Sequence, residues 1–213
     1  MSQKSPQPGP ASADVDRWNQ RYDQETFVFG EEPNAWLRAH AHHWRPGHRV
    51  LCVADGEGRN SVWLAQQGLR VEAFDISSVG VAKARGLASR RHVQVDYQVA
   101  DCDGFAWPRD AYDGVAAIFV QFADPAMRTR LFERMMASLA PGGVLVLQGY
   151  TPQQLVYRTG GPSQVEHLYT EALLRQAFGA MELLELCEYE AHVDEGLGHR
   201  GRSALIGLVA RKR

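Results

Sequence analysis

A chain of 213 residues, 45% hydrophobic and 23% charged, has the size and composition of one globular domain. Its formal net charge of -2 offers no electrostatic handle for nucleic acid or an anionic membrane. No apolar run approaches the roughly 18 residues needed to span a bilayer.

Cys52, Cys102 and Cys187 are odd in number and far apart. They form neither a disulfide framework nor a metal-ligand set, and a cytoplasmic setting is the simplest expectation. Residues 1–13 are rich in Pro and Ser and lack the apolar centre of a signal peptide, so they read as a disordered tail before a single domain over 14–213.

A first helix is expected over Asp14–Arg21, and Pro33 is placed to open another that runs to about Trp44. "HRVLCVA" reads as a buried strand, followed by a helix over Asn60–Gln67 that Gly68 closes. "RVEAFD" is a second strand, Val79–Ser89 a helix, and "HVQVDYQVA" a third, alternating strand. "YDGVAAIFVQF" follows as a fourth. Asp124 caps and Pro125 opens the next helix, "VLVLQGY" is a fifth strand, and Thr170 starts "TEALLRQAF". Two longer strands, "MELLELCEYEAHV" and "SALIGLVARK", close the chain around the turn "DEGLGHRG".

This alternation predicts a doubly wound α/β sheet, mostly parallel and seven-stranded, with an antiparallel C-terminal hairpin. Ligands of such sheets bind beyond the carboxyl ends of the strands.

The stretch "VADGEGRNSVWLAQQG" places Gly56 and Gly58 in the first strand-to-helix turn, where missing side chains allow a ligand close to the backbone. Asp75 ends the second strand 20 residues beyond Asp55, where a carboxylate can accept from ribose hydroxyls. The pattern fits dinucleotides or S-adenosylmethionine. The third glycine of a dinucleotide turn is absent, since Arg59, Asn60 and Ser61 follow Gly58.

"VLCVADGEGRNSVWLA", "VEAFDISSVGVAKA", "VADCDGF", "YDGVAAIFVQF" and "LAPGGVLVLQGYTPQQL" resemble, in order, the successive motifs of class I S-adenosylmethionine-dependent methyltransferases. "GEGRN" and "FGEEPNAWL" are most similar to the branch of tellurite-resistance and thiopurine-type methyltransferases. The resemblance implies a Rossmann-like fold, S-adenosylmethionine as cofactor and S-adenosylhomocysteine as product. Gly56 and Gly58 would flank the methionine part, with Asn60 beside them and Asp55 facing its ammonium. Asp75 would hold the ribose and Ile76 the adenine face; Asp101 would accept from the adenine amino group beside Cys102. Phe119 and Val120 would face the sulfonium, and Tyr22 and Gly30 would belong to a lid. The chain departs from the family pattern at Cys52, where an acidic residue is common, and at Ala54, where glycine is usual.

Tyr150, Tyr157, Arg158 and Arg202 are candidate substrate contacts, and His199 is the candidate residue to orient an acceptor or take its proton. His40, His42 and His43 read as solvated surface rather than a metal site. The expected partner is a small methyl acceptor such as a thiol, chalcogen oxyanion or xenobiotic. The rivals are a nicotinamide-dependent oxidoreductase and a non-catalytic S-adenosylmethionine-binding protein. Oligomeric state has no signature here.

Overall fold

The structure, a computed structural model, describes residues 10–196, 198 and 200–213. Most of the expected tail and the candidate His199 lie outside the described residues.

Seven strands form one sheet in the order β3-β2-β1-β4-β5-β7-β6. They are β1 Arg49–Val53, β2 Arg70–Asp75, β3 Val95–Val99, β4 Tyr112–Ile118, β5 Leu139–Tyr150, β6 Glu182–Asp194 and β7 Arg200–Arg211. The first five pair in parallel, while β7 runs antiparallel between β5 and β6. The helices are α1 Pro10–Tyr22, α2 Ala35–His40, α3 Arg59–Gln66, α4 Ser78–Arg90, α5 Pro125–Ser138, α6 Gln154–Tyr157 and α7 Glu171–Ala177.

Period-two alternation splits the core into two layers. Val50 and Cys52 of β1 face one way with Val71 and Ala73 of β2, packed under Leu37, Val62, Val81 and Leu87 from α2, α3 and α4. Leu51 and Val53 face the other way with Phe74, Val115 and Leu147, under Leu131, Phe132 and Met135 of α5 and Leu174 of α7. Among the described residues no helix is long and apolar enough to cross a membrane.

Several boundaries differ from expectation for identifiable reasons. Helix α1 begins at Pro10 rather than Asp14. Helix α2 starts after Asn34, not at Pro33, because the Asn34 side chain accepts from the Leu37 amide; it ends at His40, and a single 3₁₀ turn carries the chain to His43. His40 is buried rather than solvated: Nδ1 donates to the Trp36 carbonyl at 2.8 Å and Nε2 lies 3.0 Å from Glu185. Strand β5 begins five residues early, its "LAPGG" start drawn into the sheet beside an irregular register at Tyr112 and Gly114.

Candidate active site

The carboxyl ends of β1, β2 and β4 open into a cavity of about 510 Å³, within the range of small-molecule sites. It is walled by Ala54 to Glu57 after β1, Asp75 and Ile76 at the end of β2, Asp101 and Cys102 after β3, and Phe119 after β4. Tyr22 and Gly30 roof it, and Asn60 and Tyr150 also line it. Five candidates lie outside. Val120 is buried in the core, Tyr157 and Arg202 both bond to Glu190 of β6, and Arg158 is exposed at the end of α6.

Gly58 is the fifth. A Cβ there would stand 2.7 Å from the Ala84 Cβ and 2.9 Å from the Tyr97 hydroxyl. Its φ of +90° and the closeness of α4 explain this glycine without any ligand. At Gly56, φ +63°, an added Cβ would meet the Tyr22 hydroxyl at 2.7 Å, so the roof rests on the turn itself.

Two buried carboxylates dominate the electrostatics. Asp75 accepts from the Gly56 amide on one oxygen and from the Ser77 amide on the other, both at 2.8 Å. Burial nevertheless pushes its carboxyl up to about 6. Ionised Asp55 accepts from the Ser61 hydroxyl, and with the single Ser61 proton committed there Tyr97 donates to Ser61 at 2.8 Å. Burial pushes Asp55 up to about 7, and its Oδ1 is buried with no hydrogen-bond partner among the described residues. A buried, unpartnered carboxylate oxygen on a cavity wall is the feature a cationic ligand group would satisfy. Asp101 is oriented by the Asp103 and Gly104 amides, which both donate to Oδ1 at 3.0 and 2.6 Å.

The roof is latched by charge. Lys83 of α4 lies 2.5 Å from Glu57 and donates to the Gln24 and Thr26 carbonyls at 2.9 and 2.7 Å, while Glu57 accepts from the Val28 amide at 2.8 Å. Burial, then the Asp75 and Glu57 carboxylates, hold the Tyr22 phenol well above its usual range, so it remains a protonated donor. A second latch comes from the hairpin turn. Glu195 pairs with Arg59 at 2.7 Å and accepts from the Asn34 side chain, and Gly196 packs beside Gly30. The turn after β6 therefore stands at the cavity edge, as the strand directions require.

Sequence reading missed Arg59, Gln121 and His167, which line the cavity. His167 sits on a 3₁₀ turn, Val165–His167, that no local pattern announces. Ala54 lines the cavity at φ +48°, a left-handed conformation in which its methyl is strained. Ala54→Gly is expected to stabilise the protein by up to about 1 kcal/mol, measured as a higher urea midpoint at constant slope.

Comparison with known proteins agrees with this geometry. Residues 50–143 match a family model described as a methyltransferase domain. Over 130 residues the chain is 32% identical to demethylmenaquinone methyltransferase from Renibacterium salmoninarum, covering 61% of this chain and 50% of the relative; the chain thus spans about half the length of that protein. The fold is that of TehB from Haemophilus influenzae, with a TM-score of 0.69, 19% identity, and 93% of this chain and 67% of that one covered. It is shared also with a protein solved in work on conversion of a disulfide bond into a thioacetal group during echinomycin biosynthesis, with a TM-score of 0.73, 16% identity, and 93% and 92% coverage. Strand order, cavity position and the methyltransferase-domain match over residues 50–143 together give the chain the Rossmann-like fold of the class I S-adenosylmethionine-dependent methyltransferases.

Proposed function

We propose that this protein transfers the methyl group of S-adenosylmethionine to a small, uncharged acceptor. The observation that carries the reading is the placement of Asp55, Asp75 and Asp101 along one cavity wall, with a buried Asp55 oxygen left to pair. Asp55 would take the ammonium, Asp75 the ribose hydroxyls and Asp101 the adenine amino group. The bound cofactor supplies a sulfonium-activated methyl, so the protein's task is alignment and exclusion of water. Tyr22 and the latched roof exclude water, and Phe119, stacked on Tyr150 with ring centroids 4.7 Å apart, walls the acceptor side.

The cavity favours a neutral acceptor over a chalcogen oxyanion because its arginines are engaged. Arg17 pairs with Asp14, Arg21 lies over the Trp18 and Phe29 rings, and Arg59 pairs with Glu195. Phe119, Phe122, Met127 and Tyr150 offer an apolar, aromatic face that suits a thiol or a planar ring. The demethylmenaquinone methyltransferase relative supports the planar option, and kinship with the tellurite-resistance and thiopurine-type branch rests on "GEGRN" and "FGEEPNAWL". Free Cys52, Cys102 and Cys187 support a reducing, cytoplasmic setting.

Calorimetric titration tests the reading. S-adenosylmethionine and S-adenosylhomocysteine are expected to bind and NAD is not; the reverse result overturns it. A pH signature accompanies binding. A carboxyl held at about 7 is half protonated at pH 7, and an incoming ammonium drives it to the ionised form. About half a proton is then released at pH 7, read from the buffer dependence of the heat, and affinity weakens as pH falls from 8 to 6. For the unliganded protein the sign is opposite. The folded Asp55 and Asp75 carboxyls stay protonated to higher pH than unfolded ones, so their effect on stability is increasingly unfavourable as pH rises from about 4 to 7.

A further inference from the structure

His167 lies far from the glycine turn in sequence yet lines the same cavity, and two hydrogen bonds tie it to Gln121. The Gln121 side-chain amide donates to the His167 carbonyl at 3.1 Å, and the His167 ring nitrogen Nδ1 lies 3.1 Å from the Gln121 carbonyl oxygen. Gln121 is itself rigid. It is buried, donates to the Tyr150 carbonyl at 2.9 Å and accepts from the Tyr150 amide at 2.6 Å. The residue holding the imidazole thus stands two positions after Phe119 and is bonded to Tyr150, the two rings that wall the acceptor side.

A carbonyl oxygen can only accept, so Nδ1 must carry a proton. In the neutral ring this leaves the lone pair on Nε2, the arrangement in which a histidine accepts a proton while its other nitrogen is held by a backbone carbonyl.

We propose that His167 is the general base for acceptors that reach the cavity still protonated. This rests on the methyl-transfer reading above. In the step, the acceptor heteroatom forms a bond to the methyl carbon and the carbon–sulfur bond breaks. The sulfonium becomes a thioether, and the acceptor's proton passes to Nε2 of His167. An acceptor that arrives as an anion has no proton to lose and does not need the residue.

That difference supplies the test. Thiophenol, largely ionised at pH 7.5, and 1,4-naphthohydroquinone, not ionised there, are offered to the wild-type protein and to His167→Asn, with S-adenosylhomocysteine formation measured. Asparagine keeps a side-chain donor near the Nδ1 position for Gln121 and removes Nε2, so the local fold is retained. His167→Gln is the second variant. Both are expected to bind S-adenosylmethionine normally, to lose about 10²- to 10⁴-fold with the hydroquinone and to change little with the thiol.

Equal losses with both acceptors, or none with either, overturn the proposal. Long-range ¹H–¹⁵N spectra of the unliganded protein provide a readout independent of turnover. The Nδ1-protonated tautomer is expected at His167, and an Nε2-protonated ring overturns the assignment. Failure of the wild-type protein to consume S-adenosylmethionine with any acceptor counts instead against the methyl-transfer reading.

Discussion

Asp75→Ala is expected to weaken S-adenosylmethionine binding by roughly tenfold to several hundredfold. A carboxylate holding ribose hydroxyls loses charge-assisted hydrogen bonds worth about 1.5–3 kcal/mol each. The same residue is also structural, because its two oxygens satisfy the Gly56 and Ser77 amides. Leaving two buried amides unpaired costs about 1–3 kcal/mol each. Part of that is offset at high pH, where a carboxyl held at about 6 is itself unfavourable by about 1.4 kcal/mol for each unit above its unfolded value. The offset is present above pH 6 and fades as pH falls toward 4. Asp75→Ala should therefore lower the melting temperature more at pH 5 than at pH 8, while the loss of affinity is read by calorimetry at pH 8. An unchanged dissociation constant would place the ribose elsewhere.

Lys83→Met is expected to be the most damaging single change to the roof. It strips a buried Glu57 carboxylate, 3% exposed, of its cation and removes the donor that gathers the carbonyls of Gln24 and Thr26. Breaking a buried pair in this way costs about 3–5 kcal/mol. Glu57→Gln should cost less, since a neutral amide oxygen still accepts from the Val28 amide. The double variant Glu57→Gln/Lys83→Met should be less unstable than the sum of the two, because no uncompensated charge remains. Denaturant titrations give the three energies. Faster amide exchange at Val28 in Lys83→Met would show that the roof, rather than the sheet, has loosened. Additive costs with unchanged exchange would sink the latch.

Local pattern carried most of the architecture. The continuous apolar run Val50–Val53 announces a strand buried on both faces, and Asp124-Pro125 announces its helix because capping is a short-range bond. Strand direction also followed, since a tight turn between β6 and β7 admits only antiparallel pairing. The limits appear where long-range packing decides. Gly58 and Gly56 look alike in sequence, yet one turns toward α4 and the other lines the cavity beneath Tyr22. Tyr157 on α6 and Arg202 on β7 bond to Glu190 instead of lining the cavity. Arg59 and His167 reach the cavity through contacts with Glu195 and Gln121, partners 136 and 46 residues away. No spacing rule encodes such distances.

The pairing of Arg59 with Glu195 has a consequence for how the protein is made. The first strand, the glycine turn and both cavity-lining aspartates Asp55 and Asp75 emerge from the ribosome well before the turn that braces Arg59 from 136 residues further on and packs against Gly30. Contacts of such sequence separation form late and slowly. A nascent chain stopped before Glu195 would carry the acidic wall without its brace. Adenosylhomocysteine capture by chains stalled at increasing lengths should switch on only after the hairpin is synthesised, making ligand binding a report of completed assembly.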